Sequence, residues 1–180
     1  MSAPVLVTWA TRSGSTEEVA QSIAATLREY GLVVDAQPVR TVHTLEGVSA
    51  VILGAPLYVA RLHRDARRFL AIHREALRAR PVALFVLGPI HNDEKEWPAA
   101  RQQLQKELAK FPWLLPVAEE VFGGKWDPAT LGLPFRWLPA MRNIPASDVR
   151  NWNAIRDWAG QLRLMLPSLC DVQMTAGAAL

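Results

Sequence analysis

The sequence predicts a doubly wound α/β domain, a parallel sheet covered by helices on both faces. Three observations carry that expectation. Several strand-length runs are continuously apolar, notably "VALFVL" at residues 82–87 and "VSAVIL" at 48–53, as strands buried on both faces are. Stretches with apolar residues at helical spacing alternate with these runs, and right-handed crossovers would wind them onto both faces. Three of the runs then give way to loops opening on Ala10, Gly54 and Gly88. In such sheets ligands sit outside the carboxyl ends of the strands.

Taken in order, residues 4–10 read as a buried strand and 17–30 as a helix with Val19, Ala20, Ile23, Ala24, Leu27 and Tyr30 on one face. Gly31 stands where a helix C-terminus favours glycine. Residues 32–39 form a second strand whose Pro38 suits an edge, and 48–53 a third. Residues 64–77 read as one helix with Ala66, Phe69, Leu70, His73 and Leu77 inward. The fourth strand is 82–87. A helix over 97–110 carries Pro98 in its first turn. A fifth, shorter strand spans 117–122, closed by Gly123 and Gly124. The last helix covers 146–166 with Val149, Trp152, Ile155, Ala159, Leu162 and Leu166 inward. From Pro167 on no periodicity survives, so the expected organisation is one domain over 1–166 and a flexible tail over 167–180.

Composition narrows the class. The chain has 180 residues, half of them hydrophobic, enough for one sizeable core. No apolar run has the length of a membrane span, and the start of the sequence has no signal-peptide pattern. Cys170 is the single cysteine, which excludes an intramolecular disulfide and multi-cysteine zinc sites. The expectation is a cytoplasmic protein. Net charge is +3. Seven arginines lie between residues 61 and 80, opposed only by Asp65 and Glu75.

The first strand end reads "TRSGST", Thr11 to Thr16. It places four hydroxyls, those of Thr11, Ser13, Ser15 and Thr16, at the start of a helix. A helix N-terminus offers unpaired N–H groups and partial positive charge, and small residues let these close on an anion. Hydroxyls add donors without a fixed countercharge. Neither a GxxxxGK[ST] loop nor a GxGxxG fingerprint follows the strand, so a phosphate monoester such as that of FMN fits best. A competing reading is a capping box between Ser15 and Glu18, which explains one or two of the hydroxyls and leaves the rest.

The same stretch resembles the phosphate loop of flavodoxin-fold proteins, T-x-[ST]-G-x-T, through Thr11, Ser13, Gly14 and Thr16. Arginine at position 12 makes it most similar to the flavodoxin-like, menaquinone-dependent protoporphyrinogen oxidases and their relatives. "GAPLYVARLHRDARRFL" resembles their second flavin loop through Gly54, Ala55, His63 and Phe69. "FGGKWDPATL" resembles their F-x-G-x-[LV]-D segment, and Asp148, Arg150 and Trp152 their D-x-R-x-W segment opening the last helix. The resemblance runs from Val5 to about Leu166.

It implies a five-stranded parallel sheet in the order 2-1-3-4-5 and FMN as cofactor. It implies a phosphate loop of Thr11, Arg12, Ser13, Gly14, Ser15 and Thr16. Pro56, Leu57, Tyr58, Val59 and Ala60 would border the isoalloxazine ring, with Tyr58 flanking it. Gly88, Pro89, Ile90, His91 and Asn92 would approach the pyrimidine edge. His91 becomes a candidate for proton exchange, alongside its plain reading as a solvated loop histidine. The electron partner would be a quinone or small molecule, and the substrate a porphyrin. The second loop departs from the family pattern, with Pro56 for serine, Tyr58 for arginine and Ala60 for glycine; Val59 and Ala60 resist positive φ.

The remaining features carry less. His43, His63, His73 and His91 lack metal-ligand spacing, so no metal is expected. The arginines of 61–80 read as a solvated helix face or as a basic rim for an anionic substrate or acidic membrane surface. No aromatic interleaving or known module points to nucleic acid. Residues 126–142 mix Trp126, Phe135 and Trp137 with Arg136 and Arg142. They read as a cover over the end of the sheet or as a peripheral membrane contact at a cytoplasmic surface. Two rival functions stay open: an electron carrier without a small-molecule substrate, and a flavin-free binding or assembly subunit.

Overall fold

The structure, a computed structural model, describes residues 3–58, 61–91, 93–128 and 145–166, without the side chain of Tyr58. Its strands are β1 (Val5–Trp9), β2 (Val34–Pro38), β3 (Ala50–Tyr58), β4 (Arg61–Leu62), β5 (Val82–Leu87), β6 (Ala118–Phe122), β7 (Lys125–Trp126) and β8 (Ser147–Asp148). Its helices are α1 (Ser15–Glu29), α2 (Arg64–Ile72), α3 (Arg74–Arg78), α4 (Glu96–Leu108) and α5 (Trp152–Met165).

Five strands run parallel in the order β2-β1-β3-β5-β6. Counted along the chain this is the expected order, 2-1-3-4-5. Alternate residues of each strand feed opposite faces. Leu6, Val51, Leu53, Leu84 and Val86 pack with Phe69, Leu70, Leu104 and Leu108 from α2 and α4. Val7, Trp9, Ile52 and Phe85 pack with Ile23, Leu27, Ile155 and Leu162 from α1 and α5. Both faces are therefore closed, which is why the central strands contain so few polar residues.

Several expected boundaries move, each for a physical reason. β3 continues past Gly54 to Tyr58, because β5 pairs with residues as far as Pro56 and β4 folds back to pair Leu57 with Leu62. The expected helix over 64–77 is two helices. His73 stands between α2 and α3, tilted against the Phe69 ring at 4.8 Å, and makes a hydrogen bond to the Val42 backbone. The last helix starts at Trp152, six residues later than its periodicity suggested. Asn151 caps it by accepting from the Ala154 N–H at 3.0 Å. Residues Ser147 and Asp148 instead form β8, antiparallel to β7, so Val149 is not a helical core residue. Tyr30, expected inward, is 49% exposed and lies under the Arg163 guanidinium at 4.4 Å. α1 closes as foreseen at Gly31: its N–H bonds the Arg28 carbonyl at 2.9 Å and the Leu32 N–H the Leu27 carbonyl at 3.1 Å.

No helix among the described residues is long and apolar enough to cross a membrane. The tail over 167–180 and nearly all of the segment over 126–142 lie outside the described residues.

Candidate functional site

β1, β3 and β5 are neighbours, so their carboxyl ends open side by side on one edge of the sheet. The Ala10 N–H ties the first loop to its neighbour by bonding the Gly54 carbonyl at 2.9 Å. This edge holds the three loops singled out from sequence.

The first loop is a tight turn into α1. Gly14 has φ 87°, a left-handed conformation that costs an L-residue with a β-carbon roughly 1–2 kcal/mol. Its N–H donates to Thr11 Oγ1 at 3.0 Å. That bond uses a lone pair of Thr11 and leaves its hydroxyl proton for an anion. The capping box does not form: Gly14 caps α1 without a side-chain bond. Glu18 turns away to Arg150, so the amides of Ser15, Thr16 and Glu17 keep no acceptor within the helix. Thr16 is fully buried at the helix start, and its Oγ1 has no hydrogen-bond partner among the described residues. Ser13 is exposed and Ser15 half-buried. Unused amides and an orphaned buried hydroxyl form a donor set suited to a phosphate.

Arg12 is exposed on this loop. Its charge reaches His63, the residue that opens α2. Burial lowers the His63 pKa, and the charges of Arg40, Arg64 and Arg12 lower it further against the opposing Asp65. The neutral ring then accepts from the Asp65 N–H at 3.2 Å and caps α2.

The second loop is shorter than sequence suggested. Pro56 is buried within β3 and Leu57 half-buried against the core, so toward the edge they offer mainly backbone. Tyr58 ends the strand, and Val59 and Ala60 lie outside the described residues. Sequence reasoning passed over the group that fixes this hairpin. Glu107 of α4 is completely buried and accepts from the Leu62 N–H at 3.2 Å and from Lys110 Nζ. Burial pushes its pKa up, yet the Lys110 and Leu62 bonds and the charges of Lys110 and Arg67 outweigh that and hold it low. The signal was present: Ala100, Leu104, Glu107 and Leu108 share one helix face.

The third loop is braced from behind. The Gly88 N–H bonds the Phe122 carbonyl at 3.0 Å and the Gly124 N–H the Pro89 carbonyl at 2.6 Å. Ser147 Oγ donates to the Ile90 carbonyl at 2.6 Å. His91 is exposed and pairs through Nδ1 with Glu96 at 2.9 Å, the first residue of α4. Asn92 lies outside the described residues.

One segment touches both the first and the third loop. Beyond Ser147, Arg150 inserts its side chain, 3% exposed, beside the first turn of α1. It forks onto Asp148 with bonds of 2.8 and 2.6 Å and donates to Glu18 at 2.8 Å. Its guanidinium lies 4.7 Å from the Trp152 ring. The hydrogen bonds to Arg150 hold the Asp148 carboxyl below the usual range, and Asp148 in turn raises Arg150. The D-x-R-x-W stretch is thus a strap between the two loops that ends in the first residue of α5, Trp152. Arg150→Ala is expected to cost about 2–3 kcal/mol in urea unfolding, kept below the toll of a fully buried pair because both carboxylates can rehydrate. Arg150→Lys should recover only part, since an ammonium cannot fork.

Comparison with known proteins matches this architecture. Residues 6–137 match the flavodoxin domain family. The chain is 27% identical over 114 residues to the protoporphyrinogen IX dehydrogenase [quinone] of Escherichia coli strain K12, over 60% of this chain. The match spans 61% of that relative's length. Oxidised flavodoxin 1 from Bacillus cereus superposes with TM-score 0.59 at 17% identity, covering 91% of this chain and 99% of its own. The flavodoxin of Streptococcus pneumonia TIGR4 does so with TM-score 0.56 at 18% identity, covering 91% and 100%. With its sheet order, its glycine-turned loop at the first strand end and a family match over most of its length, this chain belongs to the flavodoxin domain family.

Proposed function

We propose that the protein binds FMN at the sheet edge and acts as a flavin-dependent oxidoreductase. The observation that carries this reading is the first loop, where left-handed Gly14, unused first-turn amides and the orphaned Thr16 hydroxyl converge on the start of α1. The phosphate would be held by the hydroxyls of Thr11, Ser13, Ser15 and Thr16 and by the amides of that turn, with Arg12 at the rim. Backbone of the Pro56–Ala60 and Gly88–Asn92 stretches would flank the ring, with Tyr58 beside it. Bound FMN supplies reversible one- and two-electron chemistry, while the protein supplies orientation and electrostatics. His91, paired with Glu96, is the candidate for proton exchange near the flavin.

The finer reading is a protoporphyrinogen oxidation that passes electrons to a quinone, in a single domain over 1–166, at a cytoplasmic location with peripheral membrane contact through 126–142. Supporting it are the relationship to the E. coli dehydrogenase and the resemblance of Asp148, Arg150 and Trp152 to the D-x-R-x-W segment of the protoporphyrinogen oxidases. It fails if flavin-loaded protein forms porphyrin from porphyrinogen and menaquinone no faster than a blank.

The cofactor itself is tested by titrating the protein with FMN and with riboflavin, which lacks the phosphate, and following flavin fluorescence. FMN should bind more tightly than riboflavin. Gly14→Val should weaken FMN about tenfold, the cost of forcing a β-branched residue left-handed, and leave riboflavin nearly unchanged. Equal losses for both flavins would refute the phosphate-loop assignment.

A further inference from the structure

Independently of the flavin reading, a cleft opens between the segment following β2 and helix α2. Its volume is about 590 Å³, within the roughly 300–1,000 Å³ typical of small-molecule sites. Arg40 enters from the segment, and Arg64 and Arg68 stand one turn apart on α2. Val42, Phe69 and Ile72 supply an apolar floor, with Ile72 63% exposed.

One carboxylate stands against the three arginines, so the lining keeps a net positive charge. Asp65 accepts from Arg40 at 2.7 Å and lies 3.7 Å from Arg64. Its side chain is only 14% exposed, against 71% and 87% for the two arginines. This mostly buried carboxylate therefore anchors Arg40 by a hydrogen bond and lies beside Arg64 without one, and both guanidinium groups stay open to the cleft and solvent. Among the described residues no carboxylate lies within ion-pair distance of Arg68. The walls are braced as well, because His73 packs on Phe69 and bonds the Val42 backbone. Guanidinium groups are suited to forked binding of carboxylates, and their weak hydration lets them work beside apolar surface.

We propose that this cleft binds a small amphipathic organic anion: a ring-containing apolar body carrying a carboxylate or comparable oxyanion. The body rests on Phe69 and Ile72, and the oxyanion meets Arg64 and Arg68, with Arg40 closing from the opposite wall. A concave cleft of this size favours a compact ligand over an extended polyanion. The site lies between the segment following β2 and α2, and none of its lining residues belongs to the phosphate loop at the start of α1.

The test is calorimetric titration of the full chain, with and without saturating FMN. The probes are 8-anilinonaphthalene-1-sulfonate and the uncharged N-phenyl-1-naphthylamine. The anionic dye should bind one to one, undisturbed by FMN, and shift amide resonances of residues 39–43 and 64–73. The double variant Arg64→Glu/Arg68→Glu should weaken it about tenfold or more while leaving the neutral dye and FMN affinity little changed. The proposal is overturned by no binding, by unchanged affinity in the double variant, by equal loss for both dyes, by shifts elsewhere, or by displacement with FMN.

Discussion

Replacing Gly123 by alanine is expected to lower the unfolding free energy by about 3 kcal/mol or more. A β-carbon at this position would fall 2.1 Å from the Val149 carbonyl oxygen and 2.7 Å from its carbon. Both are backbone atoms, so no side chain can rotate aside and the strap itself must retreat. Retreat breaks the Val149 N–H bond to the Gly124 carbonyl and the Ser147 bond to Ile90. It also withdraws Arg150 from Glu18 and Ser15. The proposed FMN site should then lose two supports at once, behind the third loop and beside α1. Urea unfolding gives the stability loss. FMN titration under conditions where the variant stays folded gives the binding loss. Gly14 provides the contrast, since a β-carbon there meets no atom within 4 Å. Its substitution should weaken FMN with a smaller stability loss. A Gly123→Ala protein as stable as the parent would mean that the strap does not pack as described.

The parts of the fold legible in sequence were those decided by burial. Unbroken apolar runs located the three central strands β1, β3 and β5, which are covered on both sides and tolerate few polar residues; the edge strands β2 and β6 carry Asp35, Gln37, Glu119 and Glu120 and gave a weaker signal. The inward faces of α1 and α5 were legible for the same reason, through Ile23, Leu27, Ile155 and Leu162. The first loop was legible as the turn from β1 into α1, because small and hydroxylated residues end the apolar run there.

What escaped was decided by partners distant in the chain. β3 was ended at Gly54, a reasonable local stop, yet β5 and β4 supply partners as far as Tyr58. The break at His73 comes where its ring packs on Phe69 and faces the Val42 backbone of a separate connection. In sequence Asp148 and Arg150 read as part of a segment opening the last helix, which begins only at Trp152. Their pairing with Glu18, more than a hundred residues earlier, makes them a strap. The arginine run likewise changed meaning, since Arg40, outside it, joins Arg64 and Arg68 around one cleft. No local periodicity carries such information.

Glu107→Ala is expected to cost about 3 kcal/mol at neutral pH, from an unsatisfied buried Leu62 N–H together with a cavity. Leu62 is 3% exposed, so water cannot readily replace the lost acceptor. Lys110, about half exposed, rehydrates and adds little. Glu107→Gln keeps an oxygen for Leu62 and should cost only about 1 kcal/mol. The two variants separate further with pH. The folded-state pKa of Glu107 lies below its ordinary value. Its carboxylate therefore stabilises the fold fully above that ordinary value, about 4.3, and the contribution disappears as pH falls through the lower folded value. The parent should lose its advantage over Glu107→Gln across that acid window, and the glutamine variant should have the flatter acid limb. Urea midpoints from neutral pH down to about 3 measure both. Function gives a second readout. Glu107 pins β4, and β4 sets where β3 turns back beside the proposed flavin ring. Glu107→Ala should thus loosen both FMN and riboflavin, whereas Gly14→Val discriminates between them. A variant that weakened FMN alone would place Glu107 in the phosphate loop's support rather than the ring's.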